Sequence, residues 1–339
     1  MQLDATLPPV SLFQAPPIAR AAEQMGFGVL WCSETTHNPF LPAALIAEHS
    51  RRMGVGTAVA IAFARSPADM AYTAWDLAEA SQGRFILGLG TQVRAHIERR
   101  FGMPWPDSPT GKLGEQIEAI RSFWKCWQEG CPLDFRGKYY RLSLMSPFFN
   151  PGPINYPEIP IYLAGVNTGL ACLAGETADG FLAHPLHTPE YLGEVVVQAI
   201  EKGRGRRNPA ARDSFTISVT AFVITSPAER EFVRSQIAFY ASTPSYRPVL
   251  AFHGWGEIGE RLTALAAQRK WDQMPEQISD EMLSMVATIA EPASLARELA
   301  RRYAGLADRI ALYLPFIPGE RDDFWKRMVE HFNGGCEKE

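Results

Sequence analysis

Residues 65–102 read RSPADMAYTAWDLAEASQGRFILGLGTQVRAHIERRFG. Ser66 stands where a helix N-cap belongs, Pro67 suits a first helical turn, and Met70, Ala74, Leu77 and Ala78 recur on one helical face. Ser81-Gln82-Gly83-Arg84 then turns the chain into a short apolar strand that stops in Gly88-Leu89-Gly90-Thr91. Glycines at a strand's C-terminal end lack Cβ atoms, so a flat ligand or a phosphate is expected to approach the backbone there. That edge is where parallel α/β sheets and barrels hold their ligands. The stretch therefore points to an α/β enzyme with a cofactor-sized ligand.

The same alternation extends in both directions. Apolar runs at 2–7, 28–34, 55–63, 85–90, 160–165, 180–184, 215–224 and 309–314 read as strands. Most are nearly continuous in Leu, Ile, Val and Ala, as expected for parallel strands covered on both faces. Helical patterns at 17–25, 67–80, 113–127, 189–202 and 293–303 fall between them. Eight repeats in this order read most simply as an α/β fold of the (β/α)8 TIM barrel type with insertions; a doubly wound sheet is the alternative. Two segments exceed a minimal repeat. Residues 131–158, rich in proline and aromatics, are expected to form a hairpin or lid, and residues 226–289 a helical insertion with Tyr246, Phe252, His253, Trp255 and Trp271. No linker or low-complexity run divides the chain, so one domain over 1–335 is expected.

Composition narrows the function classes. The 339 residues are 46% apolar with a net charge of −4, and no basic patch interleaved with aromatics points to nucleic acid. No apolar run approaches the length of a membrane span, and residues 1–10 lack the pattern of a signal peptide, so a cytoplasmic protein acting on a small molecule is expected. Cys32, Cys126, Cys131, Cys172 and Cys336 show neither a CxxC pair nor zinc-ligand spacing, so neither a disulfide framework nor a metal site is expected. A nucleophile elbow is also missing, which argues against a barrel hydrolase. Gly88-Leu89-Gly90 lacks the third glycine of a dinucleotide fingerprint.

Taken together, Thr57-Ala58-Val59, Arg65-Ser66-Pro67, Ser81-Gln82-Gly83-Arg84-Phe85, Leu87-Gly88-Leu89-Gly90-Thr91 and Phe101-Gly102 resemble the bacterial luciferase-like monooxygenase superfamily. Gly165-Val166-Asn167 and Leu173-Ala174-Gly175-Glu176-Thr177-Ala178-Asp179-Gly180 resemble its later signature. Ser33-Glu34-Thr35-Thr36-His37-Asn38-Pro39-Phe40 and the stretch from Ala95 to Trp105 look most like the branch of oxidoreductases that use the deazaflavin F420. The resemblance implies a TIM barrel binding F420, or alternatively FMN, at its C-terminal mouth, and a homodimer or higher homo-oligomer.

It also implies roles for particular residues. A non-prolyl cis peptide behind the cofactor ring falls at Ala58-Val59, with Ala60-Ile61 as the other placement. Ala164, Gly165, Val166, Asn167 and Thr168 match the phosphate-binding turn, where free amides at a helix start attract an anion; Asn167 or Thr168 serving only as N-cap is the alternative. Thr91, Gln92 and His96 are expected cofactor contacts, His96 and Arg99 toward its tail. His37 is the expected proton-transfer group, since an imidazole exchanges protons near neutral pH, and Glu34 is expected to orient it or touch the cofactor. His184, ending the sixth strand, is expected in the substrate pocket. One departure stands out: relatives carry a glutamate proton donor where this chain has Val93. Three functions follow: F420-dependent hydride transfer to or from a small organic substrate, an FMN-dependent monooxygenase using O2, or a barrel that binds cofactor without catalysis.

Overall fold

The computed structural model describes residues 1–207 and 214–334; Cys336, and the last residue of the expected 1–335 domain, lie outside them. Thirteen strands occur among the described residues: β1 (Gln2–Thr6), β2 (Val29–Cys32), β3 (Gly54–Thr57), β4 (Ala60–Ile61), β5 (Phe85–Gly90), β6 (Phe135–Arg136), β7 (Arg141–Leu142), β8 (Ile161–Gly165), β9 (Gly180–Ala183), β10 (Thr216–Ala221), β11 (Val223–Ile224), β12 (Thr288–Ile289) and β13 (Arg309–Leu312). One parallel sheet runs β3-β2-β1-β13-β10-β9-β8-β5-β4 and closes where β3 also pairs with β5. With β3 and β4 counted as one interrupted strand, the eight staves form the closed (β/α)8 barrel that the alternation implies.

Two expected strands are broken, each for a local reason. The 55–63 run is interrupted between β3 and β4 by the cis Ala58–Val59 peptide, then tightens into a 3-10 turn at Ala62–Ala64. The 215–224 run divides at the fully buried Phe222: β10 stays in the barrel, whereas β11 leaves it to pair with β12. The helix at Pro67–Ala80 forms as its sequence indicates, with Ser66 Oγ accepting the Asp69 amide at 3.1 Å. Residues 189–202 are helical with a π-helical turn at Leu192–Val197 in the middle.

Apolar side chains between staves and outer helices make the main core. Inside the barrel a smaller cluster of Val29, Trp31, Tyr162, Leu182 and Ala311 fills the lumen. Below it Asp4 is completely buried: its carboxylate accepts Arg309 Nε at 2.8 Å, Arg309 Nη2 at 2.5 Å, Trp31 Nε1 at 2.9 Å and the Val29 amide at 3.0 Å. This one pair joins β1, β2 and β13, where the first and last staves meet.

The insertions behave differently from each other. Residues 226–289 fold as helices over a second core that includes Phe222, Val233, Ile237, Leu250, Leu262 and Leu283. Residues 131–158 do contain a hairpin, β6–β7, but it clasps the Pro109–Glu129 helix, with Glu115 accepting the amides of Lys138, Tyr139 and Tyr140. The rest of the segment runs down the Pro67–Ala80 helix, where Tyr72 and Trp75 donate to the Phe149 and Gly152 carbonyls. None of its residues lines the cavity at the barrel mouth, so the lid expectation is corrected to a strap over outer helices.

Removing one partner of a buried ion pair strands the other. Arg309→Met is expected to cost about 3–5 kcal/mol of unfolding free energy. The double variant Asp4→Asn/Arg309→Met removes both charges and should unfold at higher urea than Arg309→Met alone; equal midpoints would contradict the role given to the pair.

Candidate functional site

The C-terminal ends of the staves enclose a cavity of about 680 Å³. One wall is a bulge at the end of β3, and its shape is set by the residues that follow β2. Ala58 donates its amide to the Cys32 carbonyl at 2.9 Å, and Ser33 Oγ donates to the Ala58 carbonyl at 3.0 Å. The Glu34 amide reaches the Val59 carbonyl at 3.3 Å, while its carboxylate accepts the Ile61 amide at 2.7 Å. Arg65 closes the arrangement with a two-pronged ion pair to Glu34 at 2.7 and 2.8 Å and a further bond to the Ile61 carbonyl. Both charges are largely buried, the side chains being 6% and 13% exposed. Glu34 lines the cavity, but its hydrogen bonds go to Arg65 and Ile61, and among the described residues no bond joins it to His37.

The glycines of β5 answer to the same bulge. A Cβ on Gly88 would lie 1.8 Å from the Thr57 carbonyl oxygen, and one on Gly90 would lie 2.7 Å from Val59 Cγ2. Thr57 Oγ1 also bonds both the carbonyl and the amide of Gly88. Neither glycine lines the cavity. The expected opening for a ligand is thus taken by the Thr57 backbone and the Val59 side chain, and the bulge is what presents a surface to the cavity.

Of the expected site residues, Glu34, His37, Ala58, Val59, Gln92, Ala164 and His184 meet on this cavity. His37 sits exposed at its rim in the loop after β2. Gln92 holds a left-handed backbone (φ 60°) with its side-chain oxygen on the Val93 amide. Thr91, Gly165, Val166, Asn167 and Thr168 do not line the cavity; Thr91 and Gly165 stand next to Gln92 and Ala164, which do, and Val166, Asn167 and Thr168 lie further along the turn. His96 is exposed on the short Arg94–Arg99 helix and is not brought to the cavity, and Glu98 of that helix is paired with Arg94, so neither replaces the acid missing at Val93.

At the β8 end, Asn167 is the N-cap of the Thr168–Thr177 helix, its side chain accepting the Leu170 amide at 3.0 Å. Gly165 is small because Leu170 packs there: an added Cβ would lie 2.7 Å from Leu170 Cβ. The first-turn amides of Thr168 and Gly169 have no intrahelical acceptor. Thr110, in the first turn of the neighbouring Pro109–Glu129 helix, would lie 3.5 Å from a Cβ on Gly169, so the first turns of the two helices lie side by side. The basic run 202–207 lies at the opposite end, where Arg207 pairs with Asp179 just before β9.

Across the cavity from the bulge stands an aromatic wall that joins His184 and Tyr246, both singled out in the sequence, to aromatics that were not. The His184 ring stacks on Tyr246 at 4.3 Å and meets the edge of Tyr240 at 4.6 Å; Tyr240, Tyr313 and Phe232 line the cavity with it. Tyr240 and Phe232 come from the helical insertion. The spacing of these aromatics carries no period that distinguishes a pocket wall from a core. Burial, aided by His187, holds His184 down to about 3, and burial holds His187 down to about 4. His187 donates Nδ1–H to the His184 carbonyl at 2.7 Å and accepts the Tyr303 hydroxyl at 3.0 Å on Nε2.

The luciferase-like monooxygenase family profile matches residues 4–309, and the chain belongs to that family and is an oxidoreductase. An uncharacterized protein of Mycobacterium tuberculosis is 41% identical over 316 residues, 91% of this chain and 92% of the relative. The 5,10-methylenetetrahydromethanopterin reductase of Archaeoglobus fulgidus is 25% identical over 84% of this chain and 85% of its own length. Among solved structures, the coenzyme F420-dependent tetrahydromethanopterin reductase of Methanopyrus kandleri superposes with a TM-score of 0.77 at 18% identity, covering 98% of both chains. No helix among the described residues is long and apolar enough to cross a membrane.

The two depressed histidines make stability pH-dependent with a definite sign. Between the unfolded value of 6.5 and about 4, the unfolded chain binds protons that the folded chain refuses, so stability is full above 6.5 and falls as the pH drops through that window. Each histidine contributes a slope of about 1.4 kcal/mol per pH unit. His187→Asn, which keeps an N–H donor, is expected to flatten the fall in melting temperature between pH 6.5 and 4; parallel curves would refute the burial of a neutral His187.

Proposed function

We propose that this chain is an F420-dependent oxidoreductase that moves a hydride between the deazaflavin and a small organic substrate. The observation that carries this reading is the apolar cavity at the barrel mouth with the Ala58–Val59 bulge as one wall. Ala58 and Val59 would brace a planar ring system on one side, the apolar lining of the cavity suits its polarity, and the aromatic wall would be left to a substrate. The backbone amides at the start of the Thr168–Thr177 helix, beside Thr110, would take an anionic phosphate outside the cavity. Relatives named as a putative coenzyme F420-dependent oxidoreductase and an F420-dependent glucose-6-phosphate dehydrogenase support the deazaflavin over FMN.

When bound, the deazaflavin supplies or accepts a hydride, two electrons at a time. The protein's part is to brace one ring face with Val59, to keep the Glu34–Arg65 pair locked so that the brace holds, and to exclude water with Trp31, Tyr240 and Tyr313. His37 gives or takes the accompanying proton at the rim. With Val93 in place of an acid, it is the proton carrier this reading retains. Glu34 is a positioning residue rather than a base.

Full-length protein titrated with F420 and with FMN, followed by fluorescence quenching, should show F420 bound tighter by at least about tenfold, roughly 1.4 kcal/mol. The reverse order would assign an FMN monooxygenase, and binding of neither would refute the cofactor site. His37→Ala should keep F420 affinity while slowing turnover about 10²–10⁴-fold; unchanged turnover removes His37 from the mechanism.

A further inference from the structure

The cavity is unusual in charge. Among its described lining residues there is no Lys, Arg or Asp, and Glu34, the one charged residue, is neutralised by Arg65. Past the exposed rim where His37 stands, an anion entering it would lose its water without gaining a counter-charge, which is strongly unfavourable. An uncharged apolar body suffers no such loss against Leu182, Leu312, Phe232, Tyr240 and Val59.

The aromatic wall also leaves one defined polar contact. Tyr313 donates its hydroxyl to Gln236 Oε1 at 3.0 Å, so Tyr240, 2.8 Å from the Tyr313 hydroxyl, is the donor of that second bond. Both phenolic hydrogens are therefore engaged within the protein. His184 differs. The Leu186 amide donates to its Nδ1 at 3.1 Å, which places the proton of the neutral ring on Nε2. Nε2 has no acceptor among the described residues, is not one of the buried atoms lacking a partner, and belongs to a residue on the cavity wall. Tyr246 stacked beneath the ring and Tyr240 at its edge hold that N–H in place. Burial keeps the ring neutral across the physiological range, so it stays a one-proton donor rather than becoming a cation that would attract anions.

We infer that the substrate half of this cavity takes an uncharged molecule with an apolar body and one acceptor oxygen bonded to His184 Nε2–H, and that it rejects anions such as carboxylates and phosphate esters. The inference rests on the hydride-transfer reading for calling that ligand the substrate. His184 is then the residue that sets specificity, by reading an oxygen without supplying charge.

Three probes of nearly equal shape test this by ligand-observed NMR titration of the full-length protein, with and without saturating F420. They are 4-methylacetophenone (neutral, with a ketone as its one acceptor oxygen), 4-acetylbenzoate (anionic, with the same ketone) and 4-ethyltoluene (neutral, with no acceptor oxygen). The methylacetophenone should bind at least about tenfold more tightly than the benzoate. His184→Phe should weaken the methylacetophenone by about fivefold and leave the ethyltoluene unchanged, while His184→Gln, which keeps an N–H, restores part of the loss. Equal binding of the neutral ketone and the benzoate, binding of neither, or equal losses of both neutral probes in His184→Phe would overturn the inference. The charge comparison needs no variant and stands if a substitution unfolds the protein. A protein that discriminates the probes but takes no F420 would overturn the cofactor reading and leave this one in place.

Discussion

The Glu34 carboxylate closes on Arg65 and on the Ile61 amide at the end of β2, and the form of the barrel mouth follows from that closure. An ion pair this far out of water persists only where the remaining lone pairs and hydrogens are satisfied, and here backbone groups satisfy them. The same contacts hold Val59 toward the cavity, and β5 accommodates the bulge only because Gly88 and Gly90 carry no side chains. Three sequence features far apart in the chain, the acid after β2, the arginine before the third helix and the paired glycines of β5, thus serve one piece of backbone.

That linkage explains what could be read from the sequence and what could not. The eight staves were legible because each is an apolar run of strand length between helical patterns, and their parallel closure left few alternatives. The Gly88 and Gly90 positions were legible as close approaches, but not what approaches them: a missing Cβ records a neighbour without identifying it, and the neighbours prove to be Thr57 and Val59. The cis placement at Ala58–Val59 came from family resemblance rather than from any propensity of alanine or valine. His184 was legible as a strand-end residue and Tyr246 as part of the helical insertion, whereas Tyr240, Tyr313 and Phe232 were not, because their meeting depends on how the insertion folds back. Asp4 and Arg309 did leave a signal, opposite charges in the first and last apolar strands, which a reading by composition passes over.

The mouth divides its polarity by depth. Backbone amides at the start of the Thr168–Thr177 helix lie outside the cavity, whereas the interior offers neutral aromatics, a neutral imidazole and an ion pair already complete. On the proposed reading, such a division would let one barrel hold a charged cofactor tail and an uncharged reacting end without either competing for the other's contacts. It would also separate duties between histidines. His37, at the solvent-facing rim, is placed to exchange a proton with water; His184, deeper and clasped by tyrosines, is placed to donate a hydrogen bond and keep its proton.

The decisive observation is a crystal structure of the protein with F420 bound. The proposal predicts one face of the deazaflavin in van der Waals contact with Val59, the other face turned to His184 and Tyr240, and the phosphate on the amides of Thr168 and Gly169. A ring bound elsewhere, or a phosphate held by side chains away from those helix starts, would contradict it.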